Sequence, residues 1–165
     1  MFDKKPNTEY HADTPPLQFR REPPIRSLVP SRLAPGSRGR ILIAEDNPVN
    51  QRVARLQVER LGFEADVVVN GQEALEALAN LAYALVLMDC QMPGMNGYAA
   101  TRELRRREAG ERHLPVIAMT ANAFSTDRDG CLAAGMDDYL SKPVSLRSLG
   151  AMLDRWTGAP VHQSG

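Results

Sequence analysis

Short apolar runs recur along the chain from residue 41 onward, and each run ends in a polar or glycine-containing loop. The first run, 41–44, is apolar throughout, which is typical of a buried strand. The runs are three to five residues long, and this length favours strands over helices. The predicted strands are 41–44, 65–69, 84–88, 115–119 and 138–140.

The segments between these runs show helical patterns. Asn47-Pro48 is a typical helix start, and Gly62 is a typical end. The residues predicted to form the apolar side of this first helix are Val49, Val53, Leu56 and Leu61. Further helices are predicted after Asn70, over 98–108 and over 126–134, and the last begins after the capping residue Ser145.

Five strands that alternate with five helices predict an α/β fold, a doubly wound five-stranded parallel sheet with helices on both faces. The order of the strands does not follow from the pattern. Residues 1–39 lack apolar periodicity and are rich in proline and glycine, so they are predicted to form a disordered arm. The domain is predicted to span 40–157, followed by a flexible tail over 158–165.

Composition narrows the class of protein. The chain has 165 residues, no apolar run long enough for a membrane span and no secretory signal, so we expect a soluble, cytoplasmic protein. Residues 1–40 carry eight Lys and Arg against four Asp and Glu, which fits a solvated linker better than a nucleic-acid-binding arm. Cys90 and Cys131 lie far apart in the sequence, and we expect free thiols.

Polar residues follow the predicted strands at the points where the strands end. Asp89 taken alone could be an ordinary turn or capping aspartate. In a doubly wound sheet, however, the carboxyl ends of the strands meet at one edge, where ligands bind. The residues predicted to converge there are Glu45, Asp46, Asp89, Thr120 and Lys142.

Lys142 is the only lysine after residue 5, in a chain with 17 arginines. A compact ammonium group beside acids suits a single phosphoryl or carboxylate oxygen. Three neighbouring carboxylates need a cation, and oxygen ligands with phosphate are typical of Mg²⁺. The set predicts Mg²⁺-assisted phosphoryl chemistry, with one carboxylate as the nucleophile.

Four segments resemble the successive motifs of two-component response-regulator receiver domains, in the same order. They are ILIAEDNPVNQ, LVLMDCQMPGMNG, VIAMTANAF and AGMDDYLSKP. The sequences of these motifs are most similar to those in the receivers of hybrid sensor histidine kinases, and the resemblance covers about residues 40–156. It implies the flavodoxin-like receiver fold and a phosphoaspartate switch in a phosphorelay.

The resemblance also implies roles for individual residues. Asp89 matches the phosphoacceptor, which takes a phosphoryl group from a phosphohistidine on a histidine kinase or histidine phosphotransfer protein. Asp46, Asp89 and the carbonyl of Gln91 are expected to bind Mg²⁺, and Glu45 mostly through water.

The remaining matched residues concern the phosphoryl group and the switch. Lys142 and Thr120 are expected to contact phosphoryl oxygens, and Tyr139 matches the switch aromatic. The Lys142–Pro143 peptide bond is expected to be cis. The surface of the fourth helix, fifth strand and fifth helix is the expected phosphorylation-dependent contact.

Three alternatives stay open beside the phosphorylated switch. The chain could be a fragment of a hybrid kinase, or a receiver that binds proteins without being phosphorylated. An aspartate-nucleophile phosphatase is disfavoured because Gln91 occupies the position where that class has a second acid. We expect no enzymatic output domain and no nucleic-acid-binding domain.

Overall fold

The structure of the protein, a computed structural model, describes residues 32–122 and 125–158. Strands and helices alternate throughout these residues. In chain order they are β1 (Arg40–Ala44), α1 (Pro48–Arg60), β2 (Glu64–Val68), α2 (Gly71–Asn80), β3 (Leu85–Asp89), α3 (Gly97–Glu108), β4 (Val116–Thr120), α4 (Ser125–Ala134), β5 (Asp138–Ser141) and α5 (Leu146–Thr157).

The five strands form one parallel sheet in the order β2-β1-β3-β4-β5. The strand order changes direction between β1 and β3, because the chain runs outward to β2 and then returns to the other side of β1. The pairs Ala44↔Met88 and Asp89↔Met119 show that the carboxyl ends of β1, β3 and β4 lie nearly level. The predicted α/β fold with a five-stranded parallel sheet is confirmed, and the carboxyl ends share one edge.

Alternate residues of the strands point into two separate apolar layers. Leu42 and Ala44 face the layer that contains buried residues of α2, α3 and α4. Ile41 and Ile43 face the other layer, which contains buried residues of α1 and α5. Helices therefore cover both faces of the sheet, and burial on both faces explains why the inner strands β1, β3 and β4 are largely apolar runs. The edge strands β2 and β5 are less buried and include acidic residues.

The predicted apolar side of α1 is wrong for three of its four residues. Val49, Val53 and Leu56 are 70%, 48% and 59% exposed. Val58 is fully buried instead, and Ala54 and Leu61 pack beside it against the sheet. At 100° per residue the two sets lie on nearly opposite sides of the helix. The helix therefore carries two apolar stripes, and only one covers the core.

Close backbone contacts at two glycines hold the loop between β3 and α3. The N–H of Gly97 donates to the carbonyl of Cys90 at 3.3 Å, and the N–H of Gly71 donates to the carbonyl of Met95 at 2.9 Å. A Cβ atom on Gly97 would lie 2.2 Å from the carbonyl oxygen of Asp89. The loop that follows Asp89 thus requires a residue without a side chain at position 97.

Residues 32–39 correct the end of the predicted disordered arm, because they contact the domain. The guanidinium of Arg38 donates to the Leu61 carbonyl at 3.1 Å and to Asp154 at 2.5 Å, and it lies over the Phe63 ring. The N–H of Ala34 donates to the Glu64 carboxylate. The rest of the predicted arm, residues 1–31, and residues 159–165 of the predicted tail lie outside the described residues.

Candidate functional site

A cavity of about 290 Å³ opens at the carboxyl edge of the sheet. All five residues predicted to converge at this edge line it, each supplied by the end of a strand or the loop after it. The residues that line it are Glu45, Asp46, Asn47, Asn50, Asp89, Cys90, Gln91, Tyr98, Thr120, Ala121, Asn122, Asp127 and Lys142.

Lys142 joins two of the carboxylates in this cavity. Its Nζ donates to Glu45 Oε2 at 2.6 Å and to Asp89 Oδ2 at 3.0 Å. Burial would lower the pKa of Lys142, but these hydrogen bonds and the two negative charges outweigh burial and raise it. The lysine is therefore held in its charged form beside Asp89.

Glu45 is almost completely buried and is held from several directions. Its Oε1 accepts from the N–H of Asn47 at 3.1 Å and from the side chain of Asn50 at 3.5 Å. The side chain of Gln51 donates to the backbone carbonyl of Glu45 at 2.7 Å. The sequence interpretation did not include Asn50 and Gln51 in the site, although both belong to the EDNPVNQ segment. Their contacts with Glu45 depend on the orientation of α1 relative to the end of β1.

Three carboxylates form a cluster that could hold a metal ion. One ligand atom each from Glu45, Asp46 and Asp89 can be chosen so that all lie within 4.8 Å of one another. Glu45 and Asp89 are buried, whereas Asp46 is exposed. Lys142 balances only one of the three charges, so the cluster retains a negative charge that favours a bound cation.

Asp89 presents both carboxylate oxygens to polar partners. Its Oδ2 accepts from Lys142, and its Oδ1 accepts from the N–H of Gln91 at 3.1 Å. The structure thus places Gln91 directly beside the Asp89 carboxylate, in the wall of the cavity. The carboxylate is oriented by its own loop and by a lysine from the far side of the site.

Thr120 and Tyr139 differ in their distance from the cavity. The hydroxyl of Thr120 donates to the Asn122 carbonyl at 2.9 Å and accepts from the Asn122 N–H at 3.1 Å. Tyr139 is half-buried, lies outside the cavity lining and has the Arg128 guanidinium 5.6 Å from its ring centre. The peptide bond before Pro143 is cis, as predicted.

The structure also brings two thiols to this side of the sheet. Cys90 and Cys131 are free cysteines, and their Sγ atoms lie 3.7 Å apart. Burial is the main cause that raises the pKa of the Cys90 thiol, to about 12. The sequence showed no sign of this proximity, because the two cysteines are 41 residues apart.

The sheet order is that of a flavodoxin-like α/β protein, and the acidic cavity lies at the point where the strand order changes direction, which is the usual ligand position in such folds. A model of the response regulator receiver domain matches residues 41–154, and the chain belongs to this family. The chain is a phosphorelay receiver, and the relatives that it resembles include hybrid sensor histidine kinases.

Three similar proteins illustrate the relationship. The chain is 46% identical over 116 residues to the hybrid signal transduction protein dokA of Dictyostelium discoideum, covering 70% of this chain and 7% of that protein. The receiver domain of the sensor histidine kinase PA1611 from Pseudomonas aeruginosa is 45% identical, with a TM-score of 0.68 over 73% of this chain and 98% of that one. That structure has a magnesium ion in its active site cleft.

The third is a chain of the Saccharomyces cerevisiae complex between the histidine phosphotransfer protein Ypd1 and the receiver domain of Ssk1. It is 28% identical, with a TM-score of 0.68 over 75% of this chain and 93% of that one. Among the residues that the structure describes, no helix has the length and apolar character needed to cross a bilayer.

Proposed function

We propose that Asp89 is the phosphoacceptor of this receiver, taking a phosphoryl group from a phosphohistidine on a histidine kinase or a histidine phosphotransfer protein. The observation that carries the proposal is the Asp89 carboxylate itself, held between Lys142 and the Gln91 N–H in an open acidic cavity. A carboxylate oxygen would attack phosphorus while the bond to the imidazole nitrogen breaks.

The other residues act by placing charge and hydrogen-bond donors around the phosphoryl group. Lys142 would contact one phosphoryl oxygen with the ammonium that now bridges Glu45 and Asp89. The Thr120 hydroxyl would exchange its bonds with Asn122 for a second phosphoryl oxygen. Tyr139 would then turn toward the space behind Thr120, which makes it the switch residue.

The carboxylate cluster fits Mg²⁺, with Asp46, Asp89 and the carbonyl of Gln91 as ligands and Glu45 acting mostly through water. Support comes from the mutual distances of the carboxylates and from the magnesium in the PA1611 receiver. A bound Mg²⁺ supplies positive charge to the phosphoryl oxygens during transfer. Glu45 and Lys142 keep each other in place at the inner side of the cavity.

The first test is phosphoryl incorporation from acetyl phosphate, measured by intact mass. We expect the mass of one phosphoryl group to be added with Mg²⁺ present, and none with excess chelator, since Lys142 alone leaves the acidic cluster uncompensated. If the chain stays unmodified with Mg²⁺, while another receiver is modified in the same buffer, the result would contradict the proposal and favour the alternative of a receiver that is not phosphorylated.

We further propose that the exposed apolar stripe of α1, formed by Val49, Val53 and Leu56, docks the phosphohistidine-bearing protein. The stripe adjoins an apolar cleft of about 180 Å³ between α1 and the loop after β5. Glu45, Asn50 and Lys142 line both this cleft and the Asp89 cavity. A protein that brings a histidine to Asp89 would therefore also cover the part of α1 that carries Asn50 and Val53.

The spacing of the stripe at i, i+4 and i+7 indicates the shape of the partner. Apolar anchors at this spacing suit a neighbouring helix that packs along α1. We therefore expect the occupant to be a histidine phosphotransfer protein that presents a helix to α1. The similar receiver domain of Ssk1 is found in complex with a histidine phosphotransfer protein, Ypd1.

The second test removes this apolar surface without adding charge. In the double variant Val53→Ala/Leu56→Ala, transfer from a phosphorylated histidine phosphotransfer domain should fall about ten-fold in kcat/KM, since two interface side chains of this size contribute 1–2 kcal/mol or more. Incorporation from acetyl phosphate should be unchanged.

Leu132→Ala provides the matched control, because Leu132 is an exposed leucine on α4, with an exposed fraction close to that of Val53. It should leave both reactions unchanged. Equal loss of transfer in the control and the double variant would contradict docking through α1.

The surface of α4, β5 and α5 remains our proposal for the phosphorylation-dependent contact. Arg128 and Tyr139 lie together on it, and Arg155 and Trp156 both donate to Asp138. A change in Tyr139 would therefore alter a charged surface directly. In this scheme the chain catalyses only its own phosphorylation and dephosphorylation.

A further inference from the structure

The thiols of Cys90 and Cys131 meet at a defined place in the fold. Cys90 directly follows Asp89 at the end of β3, and Cys131 lies on α4, which packs over the same face of the sheet. Their Sγ atoms are 3.7 Å apart, and the residues are 3% and 1% exposed. They are the only two cysteines of the chain.

We propose that Cys90 and Cys131 form a thiol-oxidation site, at which a hydroperoxide converts the pair into an intramolecular disulfide. A disulfide needs a sulfur–sulfur distance of about 2 Å. The two sulfur atoms are in contact already, so a small displacement of the two side chains and α4 is sufficient. The bond would tie α4 to the residue next to the proposed phosphoacceptor.

The two cysteines differ in how firmly they are held. The backbone of Cys90 is fixed on both sides, because its N–H donates to the Met119 carbonyl and its carbonyl accepts from the Gly97 N–H. Cys131 belongs to a helix with little buried surface. Among the described side chains of α4, only Cys131 and Ala134 are buried, and both are small.

The small buried surface of α4 explains how an oxidant could reach buried thiols. A helix held by few apolar contacts can open locally at a fraction of the cost of unfolding the domain. Opening of α4 would expose Cys131 first and uncover Cys90, while the sheet stays intact. Closing would then bring the two sulfur atoms back into contact.

The chemistry balances with hydrogen peroxide as the oxidant. The Cys131 thiolate attacks the peroxide, the O–O bond breaks, and a sulfenic acid forms with release of water, which also takes up the thiol proton. The Cys90 sulfur then displaces hydroxide from the sulfenic sulfur, and its proton completes a second water molecule. Two thiols and one peroxide thus give one disulfide and two waters.

The first measurement counts free thiols. After treatment with hydrogen peroxide, the full chain is denatured, alkylated with N-ethylmaleimide and weighed intact. We expect two labels before oxidation, none after it in a monomer that has lost only the two thiol hydrogen atoms, and two again after dithiothreitol. Two labels after oxidation, oxidation of the thiols to sulfinic acids, or a disulfide only between molecules would each overturn the proposal.

Single variants identify the pair. In Cys131→Ser, Cys90 has no neighbouring thiol, so within the monomer it should be lost from labelling only with a gain in mass, as when a sulfenic acid adds one oxygen atom. Loss of the Cys90 label from the monomer of this variant without added oxygen, reversed by dithiothreitol, would contradict the assignment. The same experiment on Asp89→Asn should give the wild-type result, which separates this proposal from the one on phosphorylation.

Hydrogen exchange tests whether the proposed disulfide restricts the opening of α4. Amides of α4 should exchange about ten-fold more slowly in the oxidised chain, because the disulfide prevents local opening. The amides of α2, which packs on the same face without a cysteine, should be unchanged. Equal or faster exchange of α4 after oxidation would show that the bond does not hold the helix.

Discussion

Asp89→Asn is expected to accept no phosphoryl group, either from acetyl phosphate or from a phosphohistidine protein. The amide that replaces the carboxylate is not a nucleophile, and the described site has no second acid bonded to both Lys142 and the loop after β3. Intact mass after incubation with Mg²⁺ measures the loss directly. The expected signal is at the level of an untreated sample.

The fold should survive this substitution. The amide oxygen of the new side chain can still accept from the Gln91 N–H, and Lys142 keeps its bond to Glu45. One of three clustered negative charges is removed, so the free energy of unfolding should be unchanged or higher by about 1 kcal/mol. A urea titration checks that the loss of phosphorylation is not a loss of structure.

Asp127→Asn is the matched control, because Asp127 is an acid that lines the same cavity from α4. It should still accept one phosphoryl group. If Asp89→Asn were phosphorylated and Asp127→Asn were not, the phosphoacceptor would be Asp127.

Gly97→Ala is expected to lower the free energy of unfolding by about 3 kcal/mol and to slow phosphorylation strongly. The added Cβ would lie 2.2 Å from the Asp89 carbonyl oxygen and 2.9 Å from Met88 Cγ. The oxygen belongs to the backbone of β3, which pairs with strands on both sides and cannot give way. The start of α3 must therefore move, and with it the loop that holds the Asp89 carboxylate.

Gly130→Ala serves as its control on a helix that lines the same cavity. The nearest atom to its added Cβ is 3.8 Å away, on the Tyr98 ring, which is an ordinary contact. Because alanine is the better helix former, stability should rise by about 0.5–1 kcal/mol. Wild-type stability and phosphorylation rate in Gly97→Ala would show that the close approach at position 97 is not required.

Most of the fold and the site could be predicted from local sequence. Short apolar runs identified the strands to within one residue at every end. The pattern is clearest in β1, β3 and β4, because strands buried on both faces have no polar alternation. The five residues predicted to converge, from Glu45 to Lys142, line one cavity in the structure. Their roles in phosphorylation remain proposals, which the Asp89 variants test.

The prediction of the buried side of α1 failed because the helix has two apolar stripes, and either of them could face the sheet. The α1 sequence has an apolar stripe at Val49, Val53 and Leu56, and another at Ala54, Val58 and Leu61. Periodicity predicts a helix in both cases, but it does not say which stripe faces the sheet. Residues 32–39 were misjudged for a related reason: Arg38 is ordered by partners at positions 61 and 154, which no local pattern reveals.

The sequence by itself determined the elements, their alternation and the polar residues at the strand ends, since these depend on neighbours within a few positions. Only the tertiary structure decided the strand order β2-β1-β3-β4-β5, the stripe of α1 that covers the core and the contact between Cys90 and Cys131. These features depend on distances between residues that are tens of positions apart. Such distances are set by how the helices pack across the sheet, and no short stretch of sequence encodes them.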